Sequence, residues 1–223
     1  YNIDGCSWLY EGDFRLNDGV PTFEVTKTLV GLSPLSDGVV LGTEFELQDK
    51  GDVSTVDYVL AFTKANSPSQ LYLLPYGVDK EFTKLSEERV VGIDQRFLSE
   101  GEDASYTTSD GVRISARLYM PSKEHGFQGP WPLVLYVHGG PQSQERPDFT
   151  WFSMPLIQFL TLNGFAVFVP NVRGSTGYGL KFMKMVDHDW GGKDMQDHIE
   201  GLKMLEKDPR IDSSRRAVVG RSY

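Results

Sequence analysis

The sequence predicts a β-rich N-terminal part followed by an α/β layer, and three observations carry that expectation. Residues 1–88 hold short segments rich in Val, Thr, Tyr, Phe and Leu, cut by clusters of turn residues. From Trp131 onward the apolar runs are continuous (PLVLYV, FAVFVP and AVVG), as in strands covered on both faces of a parallel sheet. After Asp194, the residues Met195, His198, Ile199, Leu202 and Leu205 recur with helical spacing and give one apolar stripe.

Taken in order, TFEVTKTLV, GVVLGTEFEL, DYVLAFTKA and QLYLLPYG read as strands, separated by the turn clusters NDG, SDG, DKGD and NSPS. No helical period persists among them. Short strands at this spacing suit a sandwich, a barrel or propeller blades, and no clean internal repeat chooses among these. The polar, turn-rich SEGEDAS marks a boundary within residues 86–104, so the parts are taken as 1–88 and 89–223. In ASYTTSDGVRISARLYMP, Asp110-Gly111 is a turn signal. After it Val112, Ile114, Ala116, Leu118 and Met120 share one face, while Arg113, Ser115, Arg117 and Tyr119 share the other, which predicts a half-buried strand. Asp208-Pro209 ends the helix that follows Asp194.

Composition narrows the function classes. The 223 residues carry a net charge of −9, which disfavours nucleic acid or an anionic membrane surface as partner, because both need a basic face. No run approaches the roughly 20 apolar residues of a spanning helix. Cys6 is the single cysteine, so no intrachain disulfide forms and a reducing, cytoplasmic setting is the default. Residue 1 is Tyr and no basic-then-apolar leader follows it, which leaves secretion open.

The chemistry lies in two glycine-bearing turns. AVVG runs into Gly220-Arg221-Ser222, the first three positions of the G-x-S-x-G nucleophile elbow, in which a sharp strand-to-helix turn lifts the serine Oγ out of the sheet. Alone, such a tripeptide is more often a plain turn. The run LYVHGGPQS supplies a second sign, since Gly139-Gly140 after a strand leaves backbone N–H groups free to donate to an oxyanion. Both turns are expected beyond the carboxyl ends of strands in one sheet, where sites form in this architecture. Gly174, Gly177 and Gly179 follow the order G-x-x-G-x-G, which excludes a dinucleotide fingerprint.

Together, TSDGVRISARLYMP, HGGP, NVRGSTGYG, DWGGKDMQD and VVGRSY resemble the catalytic domain of the prolyl oligopeptidase family of serine peptidases, over residues 104–223. They are most similar to the acylaminoacyl-peptidase and dipeptidyl-peptidase-like branch. The resemblance implies that residues 1–88 are the last blade or blades of a β-propeller and that 89–223 are the N-terminal half of an α/β-hydrolase domain. It implies Ser222 as nucleophile, with the backbone N–H groups of Gly140 and Tyr223 as the oxyanion hole. It implies hydrolysis of short peptides by an exopeptidase or oligopeptidase, acylaminoacyl- or dipeptidyl-releasing, with no metal or cofactor. His138 is similar to a loop-shaping position, His188 and His198 read as structural, and Arg173 reads as a packing or loop-ordering residue.

In that family the triad Asp and His follow the nucleophile, whereas this chain stops at Tyr223. The expectation is a piece of a longer protein, inactive by itself, with the remainder of the same protein as its partner. The sequence neither requires nor excludes a homo-oligomer. Two rival readings stay open: an α/β-hydrolase esterase or lipase, and a non-catalytic protein that binds peptides or partners.

Overall fold

The computed structural model describes residues 1–50, 53–75 and 81–223. The chain divides into two compact units, one of residues 1–64, 68–88 and 146–148, the other of 65–67, 89–145 and 149–223.

The first unit is built from hairpins. Strands β1 (Asn2–Ile3) and β2 (Cys6–Ser7) pair antiparallel, as do β3 (Leu9–Asn17) and β4 (Val20–Val30). Asp18 and Gly19 join β3 to β4 with φ of 51° and 79°, the left-handed geometry that a two-residue hairpin turn requires. A four-stranded sheet follows in the order β5 (Gly38–Lys50), β6 (Val53–Lys64), β7 (Ser67–Leu74) and β8 (Thr83–Lys84). The four predicted segments fall on β4 to β7. Gly51 and Asp52 of the DKGD turn, and Tyr76 and Gly77 at the end of QLYLLPYG, lie outside the described residues. Leu29, Val30, Leu35, Leu60, Phe62 and Leu74 form the core. Burying each such side chain stabilises by about 1.5–3 kcal/mol.

The expected propeller end is not found. Among the described residues no sheet is closed or curled: β3–β4 pair only with each other, and β5–β8 form an open sheet. Alternating apolar residues and turn clusters specify local hairpins. Closure needs pairings between distant strands, which local pattern does not encode.

The second unit carries the mixed, α/β-hydrolase-like layer. Its strands are β9 (Glu102–Asp103), β10 (Tyr106–Thr107), β11 (Arg113–Tyr119), β12 (Trp131–Val137), β13 (Ala166–Asn171) and β14 (Ile211–Gly220). The sheet order is β10-β11-β13-β12-β14, with β9 also against β11. Strand β12 runs parallel to both neighbours, and β11 antiparallel to β13. Helices α1 (Met154–Leu162), α2 (Leu180–Met183) and α3 (Lys193–Leu205) lie between the later strands in sequence. Alternate residues feed two cores. Ile114, Leu118, Leu133 and Phe168 join Leu205 in one, while Tyr119, Tyr136, Val167 and Val169 join Met154 and Ile157 in the other. Within the second layer, buried Gln158 of α1 donates to Ala65 O (2.9 Å) and Ser99 O (2.8 Å) and accepts from Ser99 N–H (2.8 Å).

Three expectations change here. Strand β11 is buried on both faces, Ser115 and Tyr119 included, because it lies inside the sheet and not at its rim. On α3 the buried stripe is Asp194, Asp197, Gly201 and Leu205, whereas Met195 is exposed. The acids carry that stripe because each finds hydrogen-bond donors, described below. AVVG, read as covered on both faces, belongs to β14, which pairs with β12 alone among the described residues and leaves Val218 67% exposed. Among the described residues no helix is long and apolar enough to cross a membrane.

Candidate active site

The two glycine-bearing turns leave adjacent parallel strands at the same end of the sheet. Val137, the last residue of β12, is in register with Gly220, the last of β14. Arg221 N–H extends the ladder by donating to Val137 O (3.4 Å). The apolar residues of both strands hold this register, since a slip by one would turn every side chain to the wrong face.

Beyond Arg221 the chain turns sharply. Ser222 has φ 62°, a left-handed conformation that costs a non-glycine residue roughly 1–3 kcal/mol and persists only where the surroundings over-determine it. The opposing loop presses against this turn. A methyl group placed on Gly139 would lie 2.6 Å from Arg221 O and 3.1 Å from Ser222 Cβ, so only glycine allows the approach. Gly140 follows with φ +135°, again open to glycine and not to L side chains. The structure therefore brings the HGGP loop and Ser222 into one place.

His138 is occupied within its own loop. Its Nδ1 lies 2.8 Å from Gly139 O and its Nε2 3.0 Å from the Ser175 hydroxyl, which itself donates to Val172 O (2.7 Å). Burial holds its pKa below the ordinary histidine value, in keeping with a neutral ring. His188 is exposed, with φ 62°. His198 sits on α3, where burial above all, with proximity to His138 acting the same way, pushes its pKa down to about 4.

Arg173 is 3% exposed and joins three pieces of chain. Its guanidinium donates to both carboxylate oxygens of Asp197 (Nε–Oδ2 2.8 Å, Nη2–Oδ1 2.7 Å) and to both of Asp110 (2.8 and 2.9 Å). Paired forks of this kind fix orientation as well as charge. The guanidinium, with the Thr108 hydroxyl, holds the Asp110 carboxyl well below the usual carboxylate range.

Sequence reasoning missed two contacts at the elbow. The Arg221 guanidinium lies 3.4 Å from the centroid of the Phe152 ring, a cation–π contact on the strand side of Ser222. On the other side the Tyr223 hydroxyl donates to Asp194 Oδ2 (2.6 Å) and accepts from Gly191 N–H (2.9 Å), with Trp190 edge-on at 4.9 Å. Burial and the Asp194 carboxylate together raise the Tyr223 phenol above its ordinary pKa. The DWGGKDMQD run, one of the stretches that carry the family resemblance, was the available signal.

Comparison with known proteins fits this arrangement. Residues 150–223 match the prolyl oligopeptidase family. The chain is 34% identical over 172 residues to the uncharacterized peptidase YuxL of Bacillus subtilis, covering 74% of this chain and 24% of that protein. It is 32% identical over 174 residues to dipeptidyl-peptidase 5 of Porphyromonas endodontalis, covering 77% of this chain and 24% of the relative. The chain thus spans about a quarter of the length of these curated relatives. Among solved structures, acylaminoacyl peptidase of Pyrococcus horikoshii superposes with a TM-score of 0.62 at 22% identity, over 84% of this chain and 27% of that one, a likeness of fold. By these matches the chain belongs to the prolyl oligopeptidase family.

Proposed function

We propose that this chain carries the nucleophile and oxyanion loop of a serine peptidase that hydrolyses short peptides, as an exopeptidase or oligopeptidase of the acylaminoacyl- or dipeptidyl-releasing kind. The observation that carries the reading is Ser222 at φ 62° after β14, with Gly139 packed against the turn. The family match and relatives described as peptidases support it.

In this reading Ser222 Oγ attacks the scissile carbonyl carbon and passes its proton to a histidine base. The tetrahedral oxyanion then collapses to an acyl-enzyme, the amine leaves with the proton, and water releases the acyl group. The N–H groups of Gly140 and Tyr223 receive the oxyanion, each worth roughly 3–4 kcal/mol in the transition state by analogy with comparable donors. His138 is committed to Gly139 O and Ser175, and His125 to Phe97 O (3.1 Å). The base and its orienting acid are therefore assigned to the part of the protein outside this span. Acyl transfer by side chains requires neither metal nor cofactor. Residues 89–223 form the first part of the hydrolase domain, and residues 1–88 are a separate β-rich unit. The acidic balance and the single Cys6 support a cytoplasmic enzyme without nucleic-acid or membrane partners.

In the intact protein a fluorophosphonate probe should label Ser222, and Ser222→Ala should abolish both labelling and turnover. Labelling at Ser143 or Ser175 with Ser222 unmodified would refute the assignment. Peptide and ester substrates assayed side by side distinguish a peptidase from an esterase.

A further inference from the structure

We propose that Asp194, together with the backbone of Gly191, is a positioning residue for the oxyanion hole, acting through the side chain of Tyr223. The inference rests on the reading of Ser222 and the Tyr223 N–H given above.

A left-handed serine needs its neighbours held on both sides. On the strand side the ladder bond from Arg221 N–H to Val137 O and the Phe152 contact do this. On the far side the ring of Tyr223 is held. The hydroxyl is clamped between a carboxylate oxygen at 2.6 Å and an N–H at 2.9 Å, and the ring edge meets Trp190. A hydrogen bond to a carboxylate is shorter and stronger than one between neutral groups.

Asp194 is itself immobilised. It is 5% exposed, and its Oδ1 accepts from Met195 N–H at 2.9 Å while Oδ2 also lies 3.3 Å from Gly191 N. With both ends fixed, the Tyr223 ring sets where its Cα sits and thus where its N–H points. That N–H is the donor assigned to the oxyanion, and donors serve catalysis only when aimed before charge develops. The plainer role for Asp194 is an acid in the first turn of α3, favoured by the helix dipole. The two roles separate at Tyr223, because removing its hydroxyl leaves the α3 acid in place.

The experiment uses the intact protein and three variants, Tyr223→Phe, Asp194→Ala and the double substitution, with peptide turnover, fluorophosphonate labelling rate and thermal midpoint measured for each. Each single variant should lower kcat about 10- to 100-fold with KM within about twofold, the signature of an interaction made in the transition state. The double variant should be no slower than the worse single one, since both remove the same contact. Tyr223→Phe with unchanged kcat, or Asp194→Ala lowering only the thermal midpoint, would reduce Asp194 to a helix-end acid and overturn the proposal while leaving the peptidase reading intact. Absence of Ser222 labelling in the parent protein would overturn both.

Discussion

Gly139 and Gly140 stand side by side and are glycine for different reasons. Gly140 is required by its own backbone, at φ +135°. Gly139 is required by its neighbour, since a Cβ there would lie 2.6 Å from Arg221 O, a backbone atom that cannot swing aside. Gly139→Ala is thus the cleaner probe of how closely the loop and the elbow must approach. It asks for no forbidden backbone angle, only for the elbow to retreat by several tenths of an ångström. Since small misplacement of reacting groups is costly, kcat should fall by about 100-fold or less with Ser222 still the labelled residue. Full activity in that variant would show that the turn tolerates displacement and that its strain has no catalytic purpose.

Helix α3 is the element that ties the site to the fold. It meets the sheet through Gly201, where a methyl group would lie 2.7 Å from the Phe168 ring, and through Asp197, which anchors Arg173. It also carries His198, whose folded pKa of about 4 lies below the ordinary value of about 6.5 regained on unfolding. The sign follows directly. Above pH 6.5 both states are neutral and the stability of docking α3 is complete. As the pH falls from 6.5 toward 4 the unfolded state takes up the proton first, and stability is lost, on the order of 3 kcal/mol in all. Asp194 pulls toward the charged ring, and burial, with His138 acting in the same direction, outweighs it. Urea midpoints measured between pH 7.5 and 4.5 should fall, with a shallower slope in His198→Gln; equal slopes would trace the acid sensitivity to other groups. Elements such as β12 and β13 were legible in the sequence because continuous apolar runs mark strands covered on both sides. The turns at Gly139-Gly140 and at Ser222 were legible as strand ends, each directly following an apolar run, although β14 is not covered as β12 and β13 are. The buried acids of α3 were not, because a helical wheel scores Asp194 and Asp197 as solvent-facing until their partners Tyr223 and Arg173 are known. Tyr119 was misread similarly: alternation put it with Arg113 and Arg117, and only the place of β11 inside the sheet covers it. The propeller expectation failed because hairpin pattern is local and sheet closure is not.

For the whole molecule, charge and open sheet margins act against each other. Strand β14 leaves its outer margin unpaired among the described residues, with Val218 67% exposed beside it. An unpaired strand recruits other strands unless charge or covering layers prevent it. Besides the exposed Arg215 and Arg216 on β14 itself, the broad deterrent for a solution of this 223-residue span is mutual repulsion, at a net charge of −9 per copy. Repulsion of that sort reaches about 30 Å at 0.01 M ionic strength but only about 8 Å at 0.15 M. The 1–223 span prepared alone should therefore lack turnover, stay dispersed in dilute buffer and cluster on addition of ordinary salt, as followed by static light scattering. Val218→Lys should suppress the clustering by placing a charge on the margin, and clustering unaffected by that substitution would point to another face. Ionic strength, which usually weakens contacts between charged groups, would here act as the trigger for assembly.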